Sequence, residues 1–275
     1  MSSTSSPAAN PRQVNSVSLN SFNQNHLLYD QVRPGYIPEA VETFLQKLHI
    51  TTGSKVVELA AGTGKFTASI ADSGFDIIAV EPSPGMLKSF KKKFPQIPTI
   101  EASSYDIPLE SESIDAVIVA QGFHWFANDE SVKEIARILR PDGRLGLIWN
   151  YDDLEALDKN SVQRSIADYI HSFDLDVPQY RRKEWIPVLL NQPYFYVPYK
   201  EEHFNFKKRV PNDKDFFWKY WESRSYITAL SEEKRSEVQQ EVYKLFNRNL
   251  KPEDINEDGT LTFRAGVHLV WLTKK

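Results

Sequence analysis

The sequence predicts an α/β fold in which a doubly wound, mostly parallel sheet of seven strands carries an aromatic-rich cap. Between about residues 55 and 150, short apolar runs alternate five times with segments whose apolar residues recur at helical spacing. The run Ala116–Ala120 is unbroken and apolar, which is typical of a parallel strand covered on both faces. A turn of small residues, Ala61–Gly64, follows the first of these runs. Repeated strand and helix units of this kind connect parallel strands.

The predicted helices carry their apolar residues on one face, three and four positions apart. The first follows a turn at Pro34–Gly35, and the second begins at Lys65, directly after the glycine turn, with Phe66 and Ile70 on its apolar face. In chain order, helices are expected over about residues 39–48, from 65 onward, and over 85–94, 131–139, 152–172 and 231–249.

The predicted strands are the apolar or alternating runs between these helices. A turn at Arg140–Gly143 leads into the fifth strand, and the last strand alternates apolar residues from Leu261 to Trp271. In chain order, strands are expected over about residues 56–59, 77–80, 99–102, 116–120, 144–149, 203–210 and 260–273.

The chain divides into four predicted regions. Residues 1–25 are rich in Ser, Asn and Pro and have no hydrophobic segment, so they are expected to form a disordered tail. Residues 26–150 form the core, 151–225 an inserted cap, and 226–275 a C-terminal helix and edge strand that complete the sheet. Fourteen of the 34 aromatic residues lie between Tyr180 and Tyr226. This segment therefore needs either a second small core or an apolar ligand to cover.

Composition excludes several classes of function. The net charge of −4 does not favour a nucleic-acid partner, and no apolar run approaches the roughly 20 residues of a membrane span. Because the chain has no cysteine, it has no disulfide, thiolate metal site or cysteine nucleophile. We expect a cytoplasmic protein, monomeric or weakly dimeric, that acts on a small molecule and uses no metal.

The glycine turn is the candidate ligand site. A strand that ends in such a turn brings backbone N–H groups close to a ligand. The turn alone is also found in ordinary tight connections, but two acids accompany it: Glu58 in the first strand and Glu81 at the end of the second. An acid at the second position is suited to binding ribose hydroxyls. A phosphate-binding P-loop is excluded, because Gly64-Lys65 lacks the following Ser or Thr.

Three motifs together resemble class I methyltransferases that use S-adenosylmethionine (SAM). They are Arg33-Pro34-Gly35-Tyr36, the segment from Glu58 to Gly64, and the Ala-Gln-Gly-Phe-His-Trp-Phe run at 120–126. The chain is similar to the type-11 domain group, which includes trans-aconitate methyltransferase-like fungal proteins. The resemblance implies a Rossmann-like core with a late antiparallel strand, SAM as cofactor, and methyl transfer to a carboxylate or hydroxyl oxygen of a small molecule.

The resemblance also implies the roles of individual residues. Tyr29 and Arg33 would line the methionine end of SAM, Glu58 would support the glycine turn, Glu81 would bind the ribose and Met86 would pack on adenine. The full set of expected cofactor-binding residues is Tyr29, Arg33, Glu58, Ala60, Gly62, Gly64, Glu81, Pro82, Met86, Ser103, Ser104, Ala120 and Gln121.

On the substrate side, Trp125, Arg224 and Tyr226 are expected to contact the acceptor. His124 is placed either to act as a general base or to shape the pocket wall. Arg224 and Arg264 are each open to two interpretations, pairing with an acidic substrate or forming an ordinary ion pair. We further expect the segment Tyr180–Tyr226 and the strip Tyr29–Tyr36 to cover the cofactor's methyl group.

Two departures from the family pattern leave alternatives open. Ala60 replaces a common glycine, which is tolerable if its backbone has ordinary φ and ψ values. Ser103 stands where an aspartate commonly holds the adenine, and its hydroxyl reaches less far. The alternatives are a NAD(P)-dependent oxidoreductase, although no third glycine follows Gly64, and a SAM-binding module without catalytic activity.

Overall fold

The computed structural model describes residues 32–174 and 177–275. The predicted tail of residues 1–25 and the predicted cofactor residue Tyr29 lie outside the described residues. The strands are β1 Lys55–Leu59, β2 Asp76–Val80, β3 Thr99–Ile100, β4 Ile114–Ala120, β5 Leu139–Asp152, β6 Lys200–Val210 and β7 Leu261–Thr273. The α-helices are α1 Pro38–Leu48, α2 Pro84–Lys93, α3 Asp129–Ile138, α4 Val162–His171, α5 Trp185–Asn191, α6 Lys214–Glu222, α7 Ser225–Thr228 and α8 Glu232–Asn249.

The strands form one sheet in the order β3-β2-β1-β4-β5-β7-β6. Strands β1 to β5 pair in parallel, and β7 is antiparallel to both of its neighbours. The predicted seven-stranded, doubly wound and mostly parallel sheet is therefore confirmed.

The edge of this sheet differs from the expectation. Strand β7 lies inside the sheet between β5 and β6, whereas β6, which comes from the segment predicted as a cap, forms the edge. Burial explains this order. Residues 265–272 of β7 are all buried, as in a strand covered on both faces, whereas β6 alternates exposed and half-buried positions.

The prediction of a helix from Lys65 onward is wrong. The chain makes turns here and a single 3₁₀ turn at Thr67–Ser69. The Thr67 side chain bonds to Glu58 instead of facing solvent, and Gly74 at a φ of +75° ends the segment before β2. Phe66 and Ile70 are nevertheless fully buried, so their apolar pattern reported burial correctly but not helical structure.

Other predicted boundaries of helices and strands differ from the observed ones, for local reasons. The helix predicted over residues 152–172 forms only as α4, because Ser161 caps its N-terminus by accepting the N–H of Arg164. The turn predicted at Arg140–Gly143 is part of a longer and irregular β5, in which Asp142 has a φ of +61°. Strand β3 ends at Ile100, two residues earlier than expected.

Apolar side chains form cores on both faces of the sheet and a further core beneath α4, α6 and α8. This further core contains Phe217, Trp218 and Trp221 from the aromatic-rich segment. Trp185 from the same segment instead stacks on Trp149 of β5, with ring centroids 4.9 Å apart. The second small core that the aromatic content indicated is therefore present. In the described part of the chain, no helix is long and apolar enough to cross a membrane.

Candidate active site

A cavity of about 720 Å³ opens at the carboxyl ends of β1, β2, β4 and β5. In an open α/β sheet this edge is where ligands bind. Nearly all the site residues predicted from the sequence line this one cavity: Arg33, Glu58, Ala60, Gly62, Glu81, Pro82, Met86, Ser103, Ser104, Ala120, Gln121, His124, Trp125, Arg224 and Tyr226. Among the expected cofactor-binding residues that the structure describes, Gly64 alone does not line it.

Glu81 connects the glycine turn to the end of β2. One carboxylate oxygen accepts the backbone N–H of Gly62 at 2.9 Å, and the other accepts that of Ser83 at 2.9 Å. Each oxygen has a further lone pair, so this acid can also accept hydrogen bonds from ligand hydroxyls. Gly62 has a φ of +59°, and a Cβ atom added there would lie 3.4 Å from the Met86 sulfur in the cavity wall. These contacts position the turn for a close approach by a ligand.

Gly64 has a different role from Gly62. A Cβ atom added to Gly64 would lie 2.5 Å from the ring of Phe94 and 3.0 Å from that of Phe90. Its φ of +80° also favours glycine. Gly64 is therefore required by the packing of α2 beneath the turn, which corrects its predicted place in the ligand site.

Two residues without glycine's freedom have left-handed backbones at the cavity. Ala60 has a φ of +58° and Gln121 a φ of +60°, at the ends of the adjacent strands β1 and β4. An ordinary backbone, the condition under which alanine would be tolerable at position 60, is therefore not met. The N–H of Gln121 donates to the carbonyl of Ile148 at 2.9 Å, and its side-chain amide donates to the carbonyl of Asn150 at 3.1 Å. Strain of this kind persists where the surrounding structure fixes the backbone.

Glu58 and Glu81 form an acidic end of the cavity. Glu58 is 1% exposed and accepts the Thr67 hydroxyl at 2.5 Å. Burial raises the pKa of Glu58 to about 8, against the opposing effect of its hydrogen bonds from Thr67. Burial also raises the pKa of Glu81 to about 7. Among the residues that the structure describes, no cation contributes to either shift. Buried carboxyls with raised pKa values and no cationic partner are suited to a ligand that brings positive charge.

The two predicted serines have fixed side chains. The Ser103 hydroxyl accepts the N–H of Tyr105 at 3.3 Å. The Ser104 hydroxyl lies 2.8 Å from that of Ser131 at the start of α3. Both residues line the cavity, so the segment after β3 forms part of its wall.

His124 lies in a 3₁₀ turn, Phe123–Trp125, at the end of β4. Its Nδ1 atom is buried without a hydrogen-bond partner, although the residue lines the cavity. Burial, followed by the nearby charge of Arg224, lowers the pKa of His124 to about 3. The ring is therefore neutral at physiological pH, and its unpartnered nitrogen is available to a ligand.

Arg224 forms an ion pair, one of its two predicted interpretations, and its partner Asp152 is a residue that sequence reasoning missed. Its guanidinium donates to Asp152 at 2.8 Å and lies 4.9 Å from the centroid of the Trp221 ring. The Tyr220 hydroxyl donates to the second oxygen of Asp152 at 2.6 Å. Asp152 ends β5 at the ligand edge of the sheet, and this position at a strand end is the signal that could have found it.

Arg264 is also part of an ion pair. It lies 3.1 Å from Asp153 and does not line the cavity. For Arg264, the ion-pair interpretation is therefore the one that the structure supports.

The cap and the N-terminal strip meet at this cavity. Arg33 donates to the backbone carbonyl of Ser223 at 3.2 Å, and its guanidinium lies 5.8 Å from the Tyr220 ring centroid. Tyr226 is buried beside them. At the other end of the cavity, Tyr151, Tyr180 and His203 line the wall, and no motif in the sequence pointed to them.

Known proteins are similar to this chain in sequence and in fold. Residues 57–147 match the family model described as a methyltransferase domain. A methyltransferase-like protein of Schizosaccharomyces pombe, described as uncharacterized, is 38% identical over 170 residues, which cover 62% of this chain and 65% of that protein. An uncharacterized methyltransferase of Mycobacterium tuberculosis is 42% identical over 125 residues, which cover 46% of this chain and 50% of that protein.

The solved structures show the same architecture. A protein described as a type II methyltransferase from Anaeromyxobacter dehalogenans has a TM-score of 0.60 and 19% identity, and the match covers 88% of this chain and 97% of that chain. At this identity the likeness concerns the fold alone.

The match to these curated relatives spans between half and two thirds of their own length. The family match decides against the NAD(P)-dependent alternative, and it confirms the resemblance to class I methyltransferases. The chain therefore carries a class I methyltransferase domain, and the cofactor of this domain is S-adenosylmethionine.

Proposed function

We propose that this protein is a methyltransferase that transfers a methyl group to an oxygen atom of a small molecule. One observation carries the proposal: the cavity is continuous from the acidic end, at Glu58 and Glu81, to His124 and the cap residues Arg224 and Tyr226. A cofactor at the first end and an acceptor at the second would therefore share one cavity. The closer similarity to trans-aconitate methyltransferase-like proteins stays a prediction.

The residues at the acidic end fit SAM. The cofactor is cationic and carries ribose hydroxyls. Glu58 and Glu81 supply buried carboxyls whose pKa values no cation in residues 32–174 or 177–275 lowers. Gly62 leaves room for close approach beside the Met86 thioether. In this proposal Glu81 holds the ribose, and Glu58 faces the charged methionine end of SAM. Arg33 lies near the carboxylate of that methionine end. The adenine is surrounded by Met86, Pro82 and Ser103.

SAM supplies a methyl group that is already activated on a sulfonium, so the protein's task is positioning and the exclusion of water. His124 lines the cavity and is the candidate base from the sequence, but its lowered pKa makes it a weak base. We therefore assign it a positioning role, in which the unpartnered Nδ1 bonds to the acceptor. A carboxylate acceptor has no proton to lose, and a hydroxyl acceptor would need a stronger base than this ring.

The ion pair of Arg224 with Asp152 closes the acceptor side. Both side chains are largely buried and are joined to Tyr220, so the wall is rigid and its charges are balanced. An acceptor with one carboxylate could take a hydrogen bond from Arg224 only by sharing the guanidinium with Asp152. This balance supports a substrate with one oxygen nucleophile and a largely apolar body, held against Trp125 and Tyr226.

The test is a screen of carboxylic acids, phenols, sterols and lipids for a SAM-dependent mass gain of one methyl group. We expect at least one class to be methylated by the full chain, and Glu81→Ala to reduce the rate through weaker cofactor binding. SAM binding measured by calorimetry without turnover of any class would contradict the proposal and favour the non-catalytic SAM-binding module. Absence of SAM binding would contradict the cofactor assignment itself.

A further inference from the structure

Two histidines and a glutamate meet on the outer strands of the sheet. His203 of β6 is directly opposite His268 of β7 in the antiparallel register. Their rings stack with centroids 3.9 Å apart and an interplanar angle of 9°. Glu201 lies two positions before His203 and therefore on the same face of β6. Its Oε2 atom is 2.9 Å from Nε2 of His268 and 3.9 Å from Nε2 of His203.

We propose that Glu201, His203 and His268 bind a divalent transition metal of the zinc class. Their ligand atoms lie within 4.8 Å of one another. Two imidazoles and one carboxylate are a common ligand set for zinc, with three protein ligands and an open position for water or substrate. The side chains of Glu201 and His203 are both 47% exposed, so they are able to rotate by the small amount needed to reach bonding distances of about 2.0–2.2 Å.

The groups behind the histidines favour this assignment. The Tyr180 hydroxyl lies 2.9 Å from Nδ1 of His268, and the Tyr151 hydroxyl lies 3.4 Å from Nδ1 of His203. Both rings therefore turn Nδ1 to a tyrosine and Nε2 to the same carboxylate. Metal-binding histidines usually have their second nitrogen held in this way, because the outer bond fixes ring orientation and tautomer. A tyrosine hydroxyl can accept the Nδ1–H that each ring would carry when Nε2 binds the metal.

The hydrogen-bond chain from Tyr180 through His268 to Glu201 is also a complete arrangement for a structural histidine. That interpretation does not account for His203, because the hydrogen bonds from Tyr180 through His268 to Glu201 are complete without it. His203 lies over His268 at van der Waals distance and directs its Nε2 to the carboxylate that already faces His268. The convergence of two imidazoles on one acid favours a shared cation.

The proposed metal would adjoin the cavity described above. His203 belongs to both, and Tyr151 and Tyr180, the residues behind the two histidines, also line the cavity. A ligand that enters the cavity could therefore reach the open position of the metal, and the chemical class suited to it is an oxygen donor such as a carboxylate. Metal binding itself is independent of the proposed methyl transfer.

The test is titration of the full chain, first treated with a chelator, with Zn²⁺ by calorimetry and with Co²⁺ by visible absorption. We expect one ion per chain. Glu201→Gln and His203→Ala should each weaken Zn²⁺ binding at least tenfold, and Tyr180→Phe by about tenfold. These three variants change exposed or half-buried side chains, so they are more informative than substitution of the buried His268.

Two matched controls separate the site from general binding at the surface. Glu202→Gln removes the adjacent acid, which is paired with Lys47 at 3.5 Å on the opposite face of β6. His49→Asn removes an exposed histidine at the end of α1. Both controls should bind Zn²⁺ as the unmodified chain does. The proposal is overturned if Glu201→Gln and His203→Ala leave the Zn²⁺ affinity unchanged, or if Glu202→Gln lowers it equally. It is likewise overturned if fewer than one ion binds, and Tyr180, His268 and Glu201 then form a structural chain only.

Discussion

Ala60 adopts a backbone conformation that costs an alanine about 1–2 kcal/mol and a glycine almost nothing. We expect Ala60→Gly to raise the free energy of unfolding by about 1 kcal/mol, because the relief of strain exceeds the added freedom of the unfolded chain. Chemical denaturation with and without SAM is the measurement. A loss of stability would mean that the Ala60 methyl contributes more through packing than its conformation costs.

Glu58 makes stability depend on pH in a direction opposite to that of most acids. Its folded-state pKa of about 8 lies above the ordinary value of 4.5. Its contribution to stability is therefore complete below about pH 4.5 and is lost as the pH rises toward 8. Between pH 6 and pH 8 we expect the free energy of unfolding of the SAM-free protein to fall by about 2 kcal/mol from this group. Glu81, with a pKa of about 7, adds to the same trend.

The matched variants are Glu58→Gln, which keeps the shape without the ionisable group, and Glu257→Gln at an exposed position. Urea titrations at pH 6 and pH 8 should show a smaller pH dependence for Glu58→Gln and an unchanged one for Glu257→Gln. Because SAM favours the ionised carboxylate, its binding should release protons at pH 7, which calorimetry in buffers of different ionisation enthalpy detects. An identical pH slope in Glu58→Gln would contradict the raised pKa.

Glu81→Ala tests the proposed ribose contact. Removal of the carboxylate would eliminate charge-assisted hydrogen bonds to the ligand and the two that hold Gly62 and Ser83. We expect SAM binding to weaken by about 1.5–3 kcal/mol. Calorimetry provides the dissociation constant, and circular dichroism checks the fold. An unchanged constant would place the ribose elsewhere.

At the scale of elements, the two glycines of the turn after β1 are expected to respond differently. Gly64→Ala should destabilise the fold by about 2–4 kcal/mol, since its Cβ would overlap the Phe94 ring at 2.5 Å and its φ is +80°. The Cβ atom of Gly62→Ala would contact only the Met86 sulfur, at 3.4 Å, so this variant should lose about 1 kcal/mol of stability. It should reduce SAM affinity further than Gly64→Ala does. Thermal unfolding and SAM titration of both variants separate the two effects. Equal losses of stability would refute the distinction.

The elements that the sequence predicts well are those that one physical signal decides. Strand β4 and helices α1 to α3 follow from apolar runs and helical spacing, and the structure has them within a few residues. The segment after Lys65 shows the limit of that signal, because Phe66 and Ile70 are buried without a helix. The order of β6 and β7 was not predictable, since pairing between strands that are distant in sequence is decided by tertiary packing rather than by local pattern.

At the scale of the whole molecule, the site was predictable where it follows the strand ends. Glu58, Glu81 and His124 lie where parallel strands deliver their carboxyl ends, and one cavity collects them. The positive φ of Ala60 and the different roles of Gly62 and Gly64 were not predictable, because they depend on the residues packed around the turn. The tyrosines and histidines at the far end come from β5, β6, β7 and the cap segment, and only the assembled fold brings them together.

The cap offers a test that involves the whole chain. The strip at Arg33 reaches Ser223, and Arg224 and Tyr220 of the cap both bond to Asp152 at the end of β5. These three links connect the N-terminal strip, the cap and the sheet around one cavity. A ligand that fills the cavity would therefore contact all three parts and restrict their local opening.

We expect SAM or its demethylated product to slow amide hydrogen exchange in residues 32–36 and 220–226, beyond the protection at the glycine turn. The reason is that local opening of either segment would have to break its contacts with the filled cavity as well as the links through Ser223 and Asp152. Glu81→Ala, at the same nominal SAM concentration, is the matched control and should lose the protection in proportion to its lower occupancy. Exchange that slows only at residues 60–65 while residues 220–226 stay unchanged, with SAM and acceptor both present, would show that the aromatic segment is a structural unit and takes no part in closing the site.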